Sequence, residues 1–136
     1  MFIHIRRWDY LTWGVFWDFD MTLPMWYYMS IIERFQIKYE NIAFIFLSDD
    51  IKWCKGKFSH IENSYFSENN NVWTDFAIMT LCDWAGISAS TLSFLWAYYC
   101  KNELEIFWPK YFNWFKKQVW FPKDIDCKNF IRINVL

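Results

Sequence analysis

The sequence contains little glycine, proline or histidine, and its charges nearly cancel. With three glycines and three prolines in 136 residues, no glycine-rich linker or low-complexity segment divides the chain, so we expect one domain. Two histidines and four cysteines that form no C-x-x-C pair argue against a zinc site and for reduced structural thiols. A net charge of -1 supplies no basic surface for nucleic acid.

Long apolar segments are also missing. The longest uncharged run, residues 84–100, has 17 residues and includes three serines and a threonine. A membrane-spanning helix needs about 20 strongly apolar residues. At the N-terminus, Arg6, Arg7 and Asp9 interrupt the apolar start before it reaches the length of a signal peptide. The sequence therefore predicts neither a transmembrane segment nor a signal peptide.

Aromatic side chains, in contrast, are abundant. They make up 25% of the residues and include 11 tryptophans, a composition that excludes a disordered chain. We expect that a core of this size cannot enclose all of them, and large exposed apolar patches usually mark a contact surface. The sequence therefore predicts an apolar face that meets a partner.

Strand-like apolar runs alternate with segments of helical periodicity. Pro24 fits the first turn of a helix, and the apolar run 42–47 is typical of a parallel strand covered on both faces. The predicted order is strand 2–7, loop 11–23, helix 24–39, strand 42–47, helix 49–55, a candidate short strand within 60–66, helix 72–83, strand 85–88, helix 92–100, strand 104–107 and a tail at 121–136 packed on the sheet. This order predicts an α/β fold, with a Rossmann-like parallel sheet flanked by helices.

Two adjacent arginines, Arg6 and Arg7, lie where the first predicted strand ends. In open α/β sheets the ligand crevice lies beyond the carboxyl ends of the strands. A guanidinium group can donate two parallel hydrogen bonds to a phosphate or carboxylate, and it stays charged at any working pH. Taken alone, residues 2–10 fit either a clamp for an anionic ligand or two arginines exposed to solvent.

Two further polar clusters follow predicted strands. Asp49 and Asp50 come after strand 42–47, where they could cap the next helix; two neighbouring acids alone make a poor magnesium site. Four of the six residues 88–93, at the start of the helix predicted at 92–100, carry hydroxyls, which is more than a cap requires. Hydroxyls and free backbone amides at a helix N-terminus are typical of an anion site.

Several segments together resemble the α-1,2-fucosyltransferases of glycosyltransferase family 11. The first reads H-I-R-R-W-D-Y, where the family has H-x-R-R-G-D-Y. The resemblance covers most of the chain, from His4 to about Phe115. In the family's order the segments are 4–10, 24–28 (P-M-W-Y-Y), 46–54 (F-L-S-D-D-I-K-W-C), 75–82 (D-F-A-I-M-T-L-C), 89–97 (A-S-T-L-S-F-L-W-A) and 109–115 (P-K-Y-F-N-W-F).

The resemblance implies the C-terminal, nucleotide-sugar half of a two-domain GT-B glycosyltransferase. Residues 1–136 would then form a single GDP-fucose-binding domain, and the N-terminal acceptor domain would be absent from the chain. Such an enzyme transfers fucose from GDP-fucose to a hydroxyl of a galactose-terminated glycan, with inversion and without a metal or other cofactor. In a bacterium it would work in the cytoplasm or at the membrane periphery in glycan synthesis, and in a eukaryote in the Golgi.

Carried onto matching positions, the resemblance also implies residue roles. Arg7 and Arg6 would hold the diphosphate and stabilise the charge that develops on the leaving phosphate. Arg7 and Asp9 are the catalytic candidates, and Asp75 would read the guanine edge. The candidates for donor binding are His4, Arg6, Arg7, Asp49, Asp50, Asp75, Ser90, Thr91 and Ser93.

The sequence departs from the family pattern at two places that matter for the site. Trp8 replaces the motif glycine, and its indole would either crowd the diphosphate or stack on the sugar; Ala89 stands where the family has asparagine. Two other functions therefore remain open. One is a truncated, non-catalytic GDP-sugar-binding domain or a domain completed by a partner. The other is an aromatic-rich carbohydrate-binding or interaction module.

Overall fold

The computed structural model describes residues 1–17, 20–99, 105–120, 125 and 130–136. Within them the chain forms five helices, six strands and one turn of 3-10 helix at Phe115–Lys117. The strands are β1 (Phe2–Ile5), β2 (Phe44–Ser48), β3 (Ser64–Phe66), β4 (Ala85–Ile87), β5 (Ile106–Pro109) and β6 (Ile131–Ile133). The helices are α1 (Trp8–Trp17), α2 (Met25–Lys38), α3 (Ile51–Phe58), α4 (Val72–Thr80) and α5 (Thr91–Tyr99).

The six strands form one sheet in the order β3-β2-β1-β4-β5-β6, and all five neighbouring pairs are parallel. This is the strand order of the doubly wound dinucleotide-binding folds, in which the direction of winding reverses beside the first strand. Here the reversal lies between β1 and β4. The predicted α/β class and Rossmann-like parallel sheet are confirmed.

Side chains of β1 alternate between two buried layers on opposite faces of the sheet. Ile3 packs in the layer formed by α2 and α3, whereas Phe2 packs with Trp96 of α5 in the other layer. Gly86 in β4 allows α2 to approach the sheet closely. A Cβ atom at Gly86 would lie 3.0 Å from Ile3 Cδ1 and 3.2 Å from Ile31 Cδ1. The central strands are therefore packed on both faces, which fixes the positions of the residues at their carboxyl ends.

Three expectations about the elements need correction. The loop expected at 11–23 is wrong over its first part, because α1 spans Trp8–Trp17. Its sequence, W-D-Y-L-T-W-G-V-F-W, is apolar on nearly every side and so has no helical stripe to detect. Strand 2–7 ends earlier, at Ile5, which places both arginines in the link to α1. The tail contributes a strand, β6, that pairs with β5.

Some expected boundaries fall outside the described residues. These are the end of the helix predicted at 92–100 and the start of the strand predicted at 104–107. Most of the expected tail before residue 130 also lies outside the described residues. None of the described helices has the length and apolar character needed to cross a bilayer.

Candidate functional site

The site is built from residues that follow the carboxyl ends of the central strands. Arg6 and Arg7 follow β1, and Asp49 and Asp50 follow β2. On the other side of β1, Ser88 follows β4 and leads into α5. We call Arg6, Arg7, Asp9, Asp49 and Asp50 the charged half of the site, and Ser88, Ser90, Thr91 and Ser93 the hydroxyl half.

Asp49 reaches from β2 to the start of α1. Its Oδ1 atom accepts a hydrogen bond from the backbone N–H of Arg7 at 3.0 Å, and its Oδ2 atom accepts one from Trp8 at 3.1 Å. The same Oδ2 atom lies 3.3 Å from Arg6 Nε. A carboxylate therefore occupies the first amides of α1, where the helix dipole favours negative charge.

Arg6 forms a two-point ion pair with Asp9, one turn further along. Its Nε and Nη2 atoms donate to the two carboxylate oxygens at 2.8 and 3.0 Å. The hydrogen bond to Asp9 is the main cause of a raised pKa for Arg6. The structure thus brings Arg6, Asp9 and Asp49 into one connected cluster.

Arg7 is held by an aromatic ring as well as by a carboxylate. Its Nε atom donates to Asp50 Oδ2 at 3.2 Å, and its guanidinium carbon lies 3.9 Å from the centre of the Trp53 ring. Asp50 also caps α3 by accepting a hydrogen bond from Trp53 N at 3.2 Å. The two Nη groups of Arg7 make no hydrogen bond to the part of the chain that the structure describes. Arg7 therefore keeps donors for a ligand.

His4 joins the charged half to the hydroxyl half. It lies in β1, with Ile87 of β4 opposite, and its Nδ1 atom is 2.9 Å from the hydroxyl of Ser88. Burial lowers the pKa of His4 to about 3, and the positive charge of Arg6 acts in the same direction. The imidazole is therefore neutral at physiological pH, and it can donate or accept a hydrogen bond but carries no charge for a phosphate.

The hydroxyl half makes many of its hydrogen bonds within the chain. Ser93 is fully buried in the first turn of α5, and its hydroxyl donates to the carbonyl of Ser90 at 3.1 Å. The Ser90 side chain is buried, whereas Thr91 is exposed at the first position of α5. Direct contact between Ser93 and a ligand would require this turn to move, while Thr91 is accessible as it stands.

Asp75 lies apart from the arginines. It belongs to α4 and accepts a 2.5 Å hydrogen bond from the hydroxyl of Ser67, the residue that follows β3. Burial raises the pKa of Asp75, and the Ser67 hydrogen bond opposes that shift. Among the described residues no hydrogen bond or ion pair joins Asp75 to the charged half. A ligand that touched both would have to extend along the carboxyl edge of the sheet from β1 to β3.

Three supporting aromatic residues received no site role from the sequence. Besides Trp53, the hydroxyl of Tyr10 in α1 donates to the carbonyl of Ala89 in the loop before α5. Tyr27 in α2 is fully buried and donates to the carbonyl of Ile87, the last residue of β4, at 2.8 Å. For Trp53 a signal existed, since the backbone amide three positions after an N-cap residue usually donates to the capping side chain, which places Trp53 beside Asp50.

The carboxylates of the charged half all form ion pairs with the arginines. Each of Asp9, Asp49 and Asp50 lies within ion-pair distance of a guanidinium group. No group of three His, Cys, Asp or Glu side chains within the described ranges could hold a metal ion. This arrangement suits the binding of an anion by arginines that are already oriented.

Comparison with known proteins identifies the family. The family model described as Glycosyl transferase family 11 matches residues 1–128. The chain belongs to glycosyltransferase family 11. This membership confirms the resemblance that the motifs carry.

Two relatives from Escherichia coli are similar to this family 11 chain. One, named Alpha-1,2-colitosyltransferase, is 30% identical over 104 residues, which cover 74% of this chain and 36% of that protein. The other, named O-antigen biosynthesis glycosyltransferase WbnK, is 30% identical over 103 residues, which cover 75% of this chain and 29% of that protein. The chain thus matches about a third of the length of each relative. No solved structure matches it significantly.

Proposed function

We propose that this chain forms the GDP-sugar-binding part of a family 11 glycosyltransferase that transfers fucose from GDP-fucose to a galactose hydroxyl with inversion. The observation that carries the proposal is the pair of arginines at the carboxyl end of β1, beside the reversal of the sheet, where doubly wound folds bind nucleotides. Family membership supports the same reaction class.

The reaction needs stabilisation of a leaving diphosphate. When the acceptor hydroxyl attacks the sugar carbon, it gives up its proton to a base or to solvent, the bond to phosphate breaks, and GDP leaves with the electron pair. Guanidinium groups fixed in advance stabilise this developing charge without reorganising during the reaction. The indole of Trp53 and the carboxylates of Asp9 and Asp50 supply that fixation for the two arginines.

The unoccupied donors of Arg7 make it the better diphosphate ligand of the two. The charged half contains two guanidinium groups and three carboxylates, so a diphosphate approaches a cluster whose formal charge is -1. The net charge of the cluster does not attract an anion from a distance. At close range, a directed hydrogen bond from a guanidinium group outweighs the repulsion from the net charge. The Nη groups of Arg7 offer that hydrogen bond, whereas Arg6 already uses Nε and Nη2 on Asp9.

The remaining donor contacts are proposed from the surrounding residues. Asp75 would accept hydrogen bonds from the N1 and N2 groups of guanine, with Ser67 holding the carboxylate in place. Thr91, exposed at the start of α5, would contact a phosphate or the ribose, whereas the Ser90 amide already donates to the carbonyl of Ser88 at 2.8 Å. No metal is required in this arrangement, because guanidinium groups take the role of the cation. The acceptor site is proposed to lie largely in a second domain, as the GT-B arrangement implies.

We also propose colitose as a second sugar that this chain could accept in its donor. One of the two relatives is named as a colitosyltransferase, an enzyme that transfers colitose. Colitose is a deoxy relative of fucose that lacks one ring hydroxyl, so GDP-colitose presents the same diphosphate and guanine to the site. The two donors differ only where the sugar itself makes contact.

Calorimetric titration of the chain with GDP, GDP-fucose and GDP-colitose tests the proposal, with UDP-galactose as the control nucleotide sugar. We expect GDP and both GDP-sugars to bind and UDP-galactose to bind much more weakly. Release of GDP from either donor on addition of a galactoside would establish transfer. Binding without release would instead favour a non-catalytic or partner-completed domain. No GDP binding at millimolar concentration would favour an interaction module.

A further inference from the structure

We infer that Asp49 is a positioning residue, which holds Arg6 and the start of α1 in place for the diphosphate and does not itself touch the donor. This inference rests on the proposed function and assigns Asp49 a different role from donor binding. It starts from one juxtaposition: a single carboxylate from the end of β2 contacts the backbone of Arg7, the backbone of Trp8 and the side chain of Arg6.

The hydrogen-bonding capacity of Asp49 is already largely used. Its Oδ1 atom accepts from Arg7 N and lies 3.5 Å from the hydroxyl of Ser48, while its Oδ2 atom faces both Trp8 N and Arg6 Nε. An ionised carboxylate has about four acceptor positions, and it has no donor. A negatively charged, occupied acceptor has nothing to offer a phosphate. Direct donor contact is therefore the less suitable role for this side chain.

Asp49 also closes the usual anion site of this fold. In dinucleotide-binding folds the pyrophosphate binds at the amides that open the helix after the first strand. Here the Asp49 carboxylate takes the amides of Arg7 and Trp8, and Trp8 carries a side chain where the family motif has glycine. The diphosphate must therefore be held by guanidinium groups, and Asp49 acts through their placement.

Two opposite expectations follow for removal of the Asp49 charge. If Asp49 only repels the diphosphate, its neutralisation should tighten GDP binding, because a negative charge beside the arginines is lost. If Asp49 positions the arginines, the same change should weaken binding, because Arg6 and the start of α1 become mobile and must be ordered by the ligand. The sign of the change in affinity separates the two roles.

The experiment measures GDP affinity by calorimetry for the unmodified chain, Asp49→Asn and Asp49→Ala. Glu40→Gln is the matched control: it removes one negative charge from an exposed side chain in the turn before β2, at the opposite edge of the sheet. We expect Asp49→Ala to weaken GDP binding about tenfold or more, Asp49→Asn to weaken it less because one amide hydrogen bond can remain, and Glu40→Gln to stay within about twofold. Equal or tighter binding by both Asp49 variants would overturn the positioning role.

A double-mutant cycle with Arg6→Ala distinguishes positioning from general damage to the fold. Since Asp49 contacts Arg6 directly, Asp49→Asn should cost less affinity in the Arg6→Ala background than in the unmodified chain. Losses that simply add would contradict the inference. Asp49→Asn keeps the shape of the side chain, so it carries the test if Asp49→Ala fails to fold. If the unmodified chain binds no GDP, the proposed function fails first; if it binds GDP and only the Asp49 outcomes differ, the positioning role alone is wrong.

Discussion

The charged half of the site keeps hydrogen-bond donors for a ligand, whereas the hydroxyl half turns much of its capacity inward. Arg7 is stacked on Trp53 and paired through Nε, which leaves its two Nη groups without a hydrogen bond to any described residue. Ser93 is fully buried and donates to a carbonyl of its own helix turn. Both residues belong to motif segments. A motif residue can therefore keep hydrogen-bond donors unused in one half of the site and stabilise local structure in the other.

Between the two halves, His4 works as a neutral connection. It lies in β1, between the strands that lead to the aspartates and to the serines, and its imidazole contacts the hydroxyl of Ser88, the residue after β4. Because burial lowers its pKa to about 3, the connection has no charge at neutral pH. The charged residues of the site therefore follow β1 and β2, whereas the hydroxyl half follows β4.

The largest effect on GDP affinity is expected when the donor-bearing side chain of the charged half, Arg7, is removed. Arg7→Ala should weaken GDP binding by about 1.5–3 kcal/mol, the usual value of hydrogen bonds to charged groups, or roughly tenfold to a hundredfold. Arg7→Lys should recover only part of the loss, since an ammonium group cannot reproduce a planar fork. Calorimetric titration with GDP measures both.

Lys52→Ala is the matched control for Arg7→Ala. Lys52 is an exposed cation on α3, in the same helix as Trp53, and it has no ion pair with any described residue. Its removal should change GDP affinity by less than about twofold, since exposed charges interact weakly through solvent. If Arg7→Ala and Lys52→Ala had equal effects, the charged half would act only through its net charge and the distinction between the halves would fail.

Acid should destabilise the fold through His4. The folded-state pKa of about 3 lies below the ordinary value of 6.5, so the unfolded chain binds more protons between these pH values. The free energy of unfolding should therefore fall as pH decreases through this range, by up to about 1.4 kcal/mol per pH unit from this group. Urea unfolding at pH 7 and at pH 4 measures the loss.

His4→Asn should reduce that loss, because asparagine does not titrate and can still reach Ser88. His60→Asn, which replaces an exposed imidazole, is the matched control. An unchanged difference between pH 7 and pH 4 in His4→Asn would show that His4 is not the group that acid protonates on unfolding.

The sequence predicts the charged half better than the hydroxyl half for a physical reason. Arg6 and Arg7 follow a strand, and parallel strands present their carboxyl ends at one edge, so proximity to Asp49 and Asp50 follows from the fold class alone. The direction of the Ser93 hydroxyl does not follow in this way. A serine in a first helical turn can face a ligand or bond back to a carbonyl of the preceding turn, and the sequence is the same in both cases.

Two elements, α1 and β6, carry too little local sequence signal to be predicted. The segment that forms α1 is apolar on nearly all sides, so its periodicity indicates no helix. Tertiary contacts fix its position, among them the hydrogen bonds of Trp8 N to Asp49 and of the Tyr10 hydroxyl to the carbonyl of Ala89. Strand β6 is three residues long and lies at the edge of the sheet, where pairing with β5 decides its conformation. In both cases tertiary contacts outweigh local sequence preference.

A smaller effect should separate Ser93 from Thr91 within the hydroxyl half. Ser93→Ala removes a buried hydrogen bond and should lower the free energy of unfolding by about 1 kcal/mol, with GDP affinity unchanged. Thr91→Ala should show the opposite pattern, a weaker affinity for GDP with little loss of stability, because its side chain is exposed. Urea unfolding and GDP titration on both variants provide the two measurements. A loss of GDP affinity in Ser93→Ala would mean that the first turn of α5 moves to present its hydroxyl.

The smallest effect is expected at Asp50, which supports Arg7 beside the indole of Trp53. Asparagine caps a helix about as well as aspartate, so Asp50→Asn should keep the hydrogen bond from Trp53 N and change the free energy of unfolding by less than about 0.5 kcal/mol. GDP affinity should also change less than in Arg7→Ala, because the stacked ring still fixes the guanidinium plane when the partner of Nε loses its charge. The same two measurements apply. If Asp50→Asn weakened GDP binding as much as Arg7→Ala does, the carboxylate and not the indole would orient Arg7, and the charged half would depend on ion pairs at every position.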